Sequence, residues 1–148
     1  MAKRNKTVIG RVDIVDLPEL GIENIQAKID TGAYRSSMHC KKVWQEGDRL
    51  LFTLKTDQGY RKYETQEWDQ RKVTSSNGGA QERYVIKTRI RLFGKDYKTS
   101  ISLTDRSKMK NPMLIGRKVL NGRFMVDVSQ KNLSYINKSL NSEGKGDC

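Results

Sequence analysis

Alternating apolar and polar positions dominate this chain, and a period of two residues is typical of half-buried β-strands. The alternation occurs in residues 7–15, 25–29, 50–56, 84–93 and 97–103. A turn sequence, Gly94-Lys95-Asp96, separates the last two stretches and predicts a long antiparallel hairpin. The pattern therefore predicts an all-β chain.

Shorter elements are predicted near the C-terminus. Met113–Ile115 follows Pro112 and is predicted to be a short buried strand. Arg117–Leu120 is predicted to be the single short helix, since Asn121 and Gly122 are residues that end helices. Residues 124–128 complete the predicted strands.

The domain boundaries follow from the same pattern. Residues 1–6 are predicted to be a flexible basic N-terminus, residues 7–136 a single domain, and residues 137–148 a disordered polar tail. Residues 62–82 are charged and polar, contain Gly78 and Gly79, and are predicted to form a loop. Such a loop is either a surface excursion or a cover over a ligand.

The charge balance bounds the function. Lys and Arg number 29 against 17 Asp and Glu, which gives a net charge of +12 over 148 residues. This excess suits a solvated surface, a nucleic-acid-binding surface, or an acidic substrate. A basic all-β module that binds RNA or the ribosome is therefore an alternative, although aromatic residues are 7% and no aromatic-rich strand offers bases a stacking surface.

Several classes are excluded by simple features. No apolar run approaches the roughly 20 residues of a membrane span, and the basic N-terminus lacks the apolar segment of a signal peptide. Two cysteines and one histidine favour the reducing cytoplasm and cannot supply a four-ligand zinc site. No phosphate-binding loop sequence is present, so we expect neither a metal nor another cofactor.

The candidate chemistry lies at Asp30, which begins an Asp-Thr-Gly triplet directly after the strand at 25–29. Alone, the triplet is more typical of an ordinary turn than of a catalytic site. Two apolar residues and a glycine, Leu114-Ile115-Gly116, occur later in the chain and lead into the short helix.

Together these motifs resemble the retropepsin-like aspartic peptidases, and most closely the bacterial and archaeal family known as ATP-dependent zinc proteases. The matching segments, in order, are residues 17–22, residues 28–33, Ser36 with His39, residues 105–117 and residues 122–127. Despite the family's name, the resemblance implies an aspartic peptidase with one half of an acid-protease fold, a closed β-barrel that is active as a homodimer.

The resemblance also implies residue roles. Asp30 and its copy in the second subunit would share a proton around the attacking water, with Thr31, Gly32 and Ala33 as the active-site loop. Residues 62–82 would be a flap with Gly78 and Gly79 at its tip. The candidate substrate-binding residues are Arg35, His39, Gly78, Gly79, Ile115 and Gly116.

One position departs from the pattern of viral retropepsins. Tyr34 stands where those proteins carry an aspartate that pairs with the arginine at the position of Arg117. We therefore expect Arg117 to pair with Asp105 or Asp127, and Arg106 belongs to the same candidate set of ion pairs.

The function predicted from the resemblance is an aspartic endopeptidase that hydrolyses a peptide or a poly-glutamate-type amide. Members of this branch are associated with ATP-grasp amino-acid ligases, which suggests an acidic substrate and agrees with the basic charge. A catalytically silent dimer that only binds peptides is a further alternative.

Overall fold

A computed structural model describes residues 5–56, 59–74, 79–104 and 110–146. Within them the strands are β1 (Thr7–Ile9), β2 (Val12–Leu17), β3 (Ile22–Ile29), β4 (Ser36–His39), β5 (Lys42–Glu46), β6 (Arg49–Thr56), β7 (Gly59–Thr65), β8 (Trp68–Thr74), β9 (Ala80–Leu92), β10 (Lys95–Thr104), β11 (Met113–Ile115) and β12 (Phe124–Val126). The helices are α1 (Arg117–Leu120) and α2 (Leu133–Gly146), and a 3-10 turn covers Pro18–Leu20.

Six strands close into a barrel in the order β10-β4-β11-β3-β2-β9, with β9 pairing back to β10. The β9–β10 hairpin spans nine antiparallel residue pairs from Lys95↔Leu92 to Leu103↔Tyr84, and β8 extends the sheet on the other edge of β9. The predicted all-β class, closed barrel and long hairpin are confirmed.

The apolar positions of the alternating stretches fill the barrel. Ile86, Ile90 and Leu92 of β9 are fully buried, and Ala27 and Ile29 of β3 face the same core. Burying such side chains contributes roughly 1.5–3 kcal/mol each, which holds the strands in one register because a one-residue slip would turn every side chain to the other face.

One strand of the barrel comes from far along the sequence. β11 lies between β3 and β4, parallel to β3 through Ile115↔Ile29 and antiparallel to β4 through Met113↔Met38. The loop that joins β3 to β4 therefore passes over the end of β11. Since that loop begins at Asp30, the topology brings the two sequence motifs together.

Two smaller sheets flank the barrel. β5, β6 and β7 form an antiparallel sheet, and β1 pairs in parallel with β12. Residues 62–82 were predicted to be a loop, and that prediction is wrong for most of the segment because it contributes to β7, β8 and β9. The strands were missed since their side chains are largely polar on both faces. Residues 75–78, with Gly78, lie outside the described residues.

A second helix was not predicted. The short helix Arg117–Leu120 is confirmed, but α2 occupies residues 133–146, where the sequence favoured a disordered tail from residue 137 onward. α2 is anchored by a carboxylate of β2: Asp13, only 1% exposed, accepts hydrogen bonds from the N–H groups of Ser134 (2.9 Å) and Tyr135 (3.2 Å). Free N–H groups in the first turn of a helix favour such an acceptor.

A second acidic residue of β2 completes the anchor. Asp16 accepts a hydrogen bond from the N–H of Asn24 and forms an ion pair with Lys138 of α2 at 2.9 Å. The side chain of Asp16 is 10% exposed, whereas that of Lys138 is 47% exposed. The position of α2 is thus set by tertiary contacts rather than by the polar sequence of the helix.

We expect the Asp13→Asn substitution to change how stability depends on pH. Burial raises the pKa of Asp13, an effect larger than the opposing one of its hydrogen bonds to Ser134, Ile14 and Tyr135. A carboxyl group whose pKa is raised by folding favours the folded state below its unfolded pKa, and this contribution is lost as the pH rises through the folded value. The asparagine of the variant stays neutral, so the stability of the wild type relative to the variant should fall as the pH rises through the range that begins near pH 4, the ordinary pKa of an aspartate.

Urea unfolding of both proteins across this range measures the effect. The exposed Asp48 in the turn before β6 provides the control, because Asp48→Asn alters the same chemical group without removing a buried carboxylate. A stability difference between wild type and the Asp13→Asn variant that stays constant with pH would contradict the expectation.

Candidate active site

Asp30 lies where β3 ends and enters the loop over β11. Its N–H donates to the carbonyl of Ile115 at 2.9 Å, which continues the pairing of β3 with β11. Its carboxylate Oδ1 accepts a hydrogen bond from the N–H of Gly32 at 3.0 Å, and its carbonyl accepts one from Ala33. The side chain is half-buried, so backbone bonds fix its position while it keeps access to solvent.

The first residues of α1 bind the Asp30 loop through hydrogen bonds. The N–H of Arg117 donates to the carbonyl of Ala33 at 2.8 Å, and that of Lys118 donates to the carbonyl of Tyr34 at 2.9 Å. The Arg117 side chain adds a bond from Nη1 to the carbonyl of Thr31 at 2.9 Å. N–H groups in a first helical turn lack partners within the helix, and here they bind the Asp-Thr-Gly loop instead.

Gly116 makes this close approach feasible. A Cβ at Gly116 would lie 2.7 Å from the carbonyl oxygens of Arg35 and Tyr34 and 2.8 Å from that of Ala33, well inside normal contact. The Gly116 N–H donates to the buried hydroxyl Oγ of Ser36 at 3.2 Å. Both predicted motifs therefore meet in one hydrogen-bonded unit, and Gly116 acts as the point of contact between them.

The predicted loop and substrate residues differ in accessibility. Thr31 and Gly32 are exposed, and Ala33 and Arg35 are half-buried. Ile115 is fully buried, so its side chain belongs to the core and its carbonyl serves as the anchor of Asp30. Gly79 is exposed and directly precedes β9.

His39 does not adjoin the loop in the way that Ser36 does. Ser36 begins β4 beside Gly116, whereas His39 ends the same strand, about 10 Å further along at the strand rise of roughly 3.3 Å per residue. There its N–H donates to the carbonyl of Pro112, and it pairs with Thr104 of β10.

The structure gives Arg117 and Asp127 partners other than each other. Arg117 contacts the Thr31 carbonyl and lies 6.0 Å from the ring centre of Tyr34, which makes Tyr34 a cation–π partner. Asp127 accepts hydrogen bonds from the hydroxyl and the N–H of Ser129, which lower the pKa of its carboxyl group. The other candidate ion-pair residues, Asp105 and Arg106, lie outside the described residues.

The sequence identified the loop but missed two of its supports. Ser36 was noted within a motif without a structural role, and Lys118 was not singled out. Their contacts join positions 80 or more residues apart in the chain, so no local pattern could have indicated them. In the described part of the chain, no group of three His, Cys, Asp or Glu side chains lies close enough together to hold a metal ion.

The arrangement can present one oriented carboxylate to water and to a ligand at an exposed loop. A single carboxylate can act as a general base, but the acid and base roles of aspartic-peptidase chemistry need a pair. The described part of the chain contains one Asp-Thr-Gly loop, within residues 5–56. The described helices include none long and apolar enough to span a membrane.

Comparisons with known proteins agree with this geometry. The family described as RimB-like, retropepsin-like aspartic endopeptidase RimB, matches residues 8–137. A Legionella pneumophila protein of unknown function shares the fold, with a TM-score of 0.72 and 24% sequence identity over 88% of this chain and 99% of that one.

Curated relatives carry a different name. Two proteins named "Probable alpha-L-glutamate ligase", from Shewanella pealeana and Shewanella halifaxensis, are each 35% identical over 134 residues, and a third from Parasynechococcus marenigrum is 31% identical over 130. The match covers 82–85% of this chain but only 28–29% of those proteins. The chain thus spans less than a third of the length of these relatives.

Proposed function

The chain belongs to the RimB-like family of retropepsin-like aspartic endopeptidases, and on this premise we propose that it hydrolyses an amide bond with Asp30 as the catalytic carboxylate. The observation that carries the proposal is the Asp30 loop itself. Its carboxylate is oriented by the Gly32 N–H and its backbone is fixed on β11 and α1, so the loop presents one rigid acidic group.

We propose that two chains form the complete site. Two carboxylates close together cannot both ionise, so one would stay protonated and polarise the scissile carbonyl while the other removes a proton from water. A symmetric dimer supplies the second Asp30. Thr31 and Gly32 are exposed, and Tyr34 beside them is 56% exposed, which leaves this face of the loop accessible to a second copy.

The β8–β9 hairpin is the element that we assign to the flap. It contains seven antiparallel pairs, from Trp68↔Ile86 to Thr74↔Ala80, and the four from Arg71↔Arg83 onward lie beyond the last pair of β9 with β10, Leu103↔Tyr84. Since β8 pairs with β9 at the edge of the sheet, it can bend without breaking the barrel. Closure over a substrate would exclude water from the carboxylates.

The proposed substrate is a peptide or a glutamate-rich chain. The relatives named as glutamate ligases contain a matching segment, which supports a functional link between this domain and a ligase that adds glutamate. The net charge of +12 would attract an acidic substrate. We place the activity in the cytoplasm, where a buried thiol such as Cys40 stays reduced.

A mixing experiment tests whether the site is shared between subunits. Adding an equal amount of inactive Asp30→Asn protein to wild type and allowing exchange should lower total activity to about half, because half of the wild-type subunits then carry an inactive partner. Sedimentation should show a species of about twice the 17.0 kDa of one chain.

Two results would contradict the shared site. One is unchanged total activity after complete subunit exchange, since the activity of independent monomers would not depend on the presence of the variant. The other is a purely monomeric protein that still cleaves. The matched control is Asp48→Asn added in the same ratio, because this exposed side chain lies in the turn between β5 and β6 and should leave activity undiminished.

A further inference from the structure

A basic cavity of about 560 Å³ opens on the barrel wall, and Asp30 is not among the residues that line it. The lining residues are Glu19, Glu67, Arg71, Lys87, Thr88, Arg89, Lys98, Thr99, Ser100 and Lys118. Five of the ten are cationic and two are acidic. None is aromatic.

The cavity exists because β9 lacks a continuous neighbour along one edge. In the described residues, β8 pairs with β9 only as far as Ile86, the N–H of Lys87 donates to the carbonyl of Glu67, and β2 pairs with β9 at Arg91. The edge between Lys87 and Arg91 is therefore open. The side chains of Lys87 and Arg89 lie along this open edge and line the cavity.

Thr88 and Thr99 are opposite each other on β9 and β10 and are among the lining residues. They are 6% and 7% exposed, and their hydroxyl oxygens are closed to solvent. The groups that a ligand can contact are therefore the charged side chains around the opening. Beside them, Lys118 Nζ donates to the hydroxyl of Ser100 at 3.1 Å.

A carboxylate already occupies part of the cavity. Glu19, in the turn after β2, forms an ion pair with Arg89 at 3.3 Å, and both side chains are about half exposed. An Arg guanidinium donates hydrogen bonds to carboxylate oxygens. The ion pair with Glu19 thus shows that Arg89 can bind a carboxylate in this position. An exposed ion pair of this kind is weak, so a carboxylate of a ligand can replace Glu19.

We propose that this cavity is a second binding site, distinct from the Asp30 loop, that takes the carboxylate side chains of an acidic peptide. The lysines and arginines attract and neutralise the peptide, and one of its carboxylates replaces Glu19 as the partner of Arg89. The absence of aromatic lining residues disfavours RNA, whose single strands are commonly bound by stacking on aromatic rings. Binding here does not depend on hydrolysis at Asp30.

The test uses the full chain carrying Asp30→Asn, so that peptide is bound without turnover. The probe is a short fluorescent poly-L-glutamate peptide, and the readout is its Kd by anisotropy at physiological salt. Lys87→Gln combined with Lys98→Gln should weaken binding about tenfold. The control, Lys42→Gln combined with Lys62→Gln, removes the same charge from the β5–β7 sheet and should change the Kd less than about twofold.

A further variant tests the site without a loss of positive charge. Glu19→Gln should tighten binding about threefold by freeing Arg89. Equal losses in the cavity and control double variants, or tighter binding of a single-stranded RNA that is sensitive to Lys87 and Lys98, would overturn the proposal. So would an unchanged Kd in the Glu19→Gln variant.

Discussion

Replacement of Asp30 by Asn is expected to lower kcat/KM on a glutamate-rich peptide by about 10²–10⁴-fold or more. Asn cannot accept the proton of the attacking water, and in a dimer the substitution removes both carboxylates at once. The shape of the loop should survive, because the amide oxygen of Asn can still accept the Gly32 N–H. Release of shorter peptides, followed by chromatography, measures the effect.

The controls separate chemistry from folding. The variant should keep the thermal unfolding midpoint of the wild type within a few degrees, and Asp48→Asn should cleave like wild type because Asp48 is an exposed turn residue. Undiminished cleavage by a folded Asp30→Asn protein would remove Asp30 from the reaction and with it the aspartic mechanism. If the Asp30→Asn protein loses both cleavage and folding, Asp30→Glu replaces it as the test variant, because it retains a carboxylate at the loop.

Gly116→Ala is expected to destabilise the protein by about 1–3 kcal/mol and to abolish cleavage. The added methyl group would lie 2.7–2.8 Å from the backbone carbonyls of Ala33, Tyr34 and Arg35. Backbone cannot move aside as a flexible side chain can, so the loop would lift from β11. The free energy of unfolding in urea and the rate of peptide cleavage measure the two effects.

Gly32→Ala is the matched control for that prediction. Its added Cβ would meet only the Asp30 Oδ1 at 3.3 Å, a side-chain atom that can shift slightly. We expect a stability loss below about 1 kcal/mol, while activity falls because the loop carries Asp30, the proposed catalytic carboxylate. Equal stability losses in the two variants would show that the contact between Gly116 and the loop carries no special constraint.

The barrel could be predicted from the sequence where burial follows a simple alternation. β3 and β9 bury every second residue over long stretches, and Pro112 and Gly116 bracket β11. β8 lacks this signal because an edge strand with polar residues on both faces carries no periodicity. α2 could not be predicted for a different reason, since its start is fixed by Asp13 from β2 and not by a residue of its own.

In the candidate site, too, the local features could be predicted from the sequence and the long-range contacts could not. The Asp-Thr-Gly turn is a local feature and was recognised as such, whereas its fixation by Ser36, Arg117 and Lys118 depends on contacts between distant parts of the chain. Asp13 lies buried in β2, and the alternation of the strand gives no reason for a charged residue there. Its backbone partners in α2 are what make that burial tolerable.

The insertion of β11 between β3 and β4 has a consequence for biosynthesis. A ribosome releases the Asp30 segment long before it releases Gly116. The loop therefore lacks its hydrogen bonds to β11 and α1 until most of the barrel strands have been made. Contacts of such high sequence separation form late and slowly. The proposed hydrolytic activity is therefore expected only after the barrel has closed around β11.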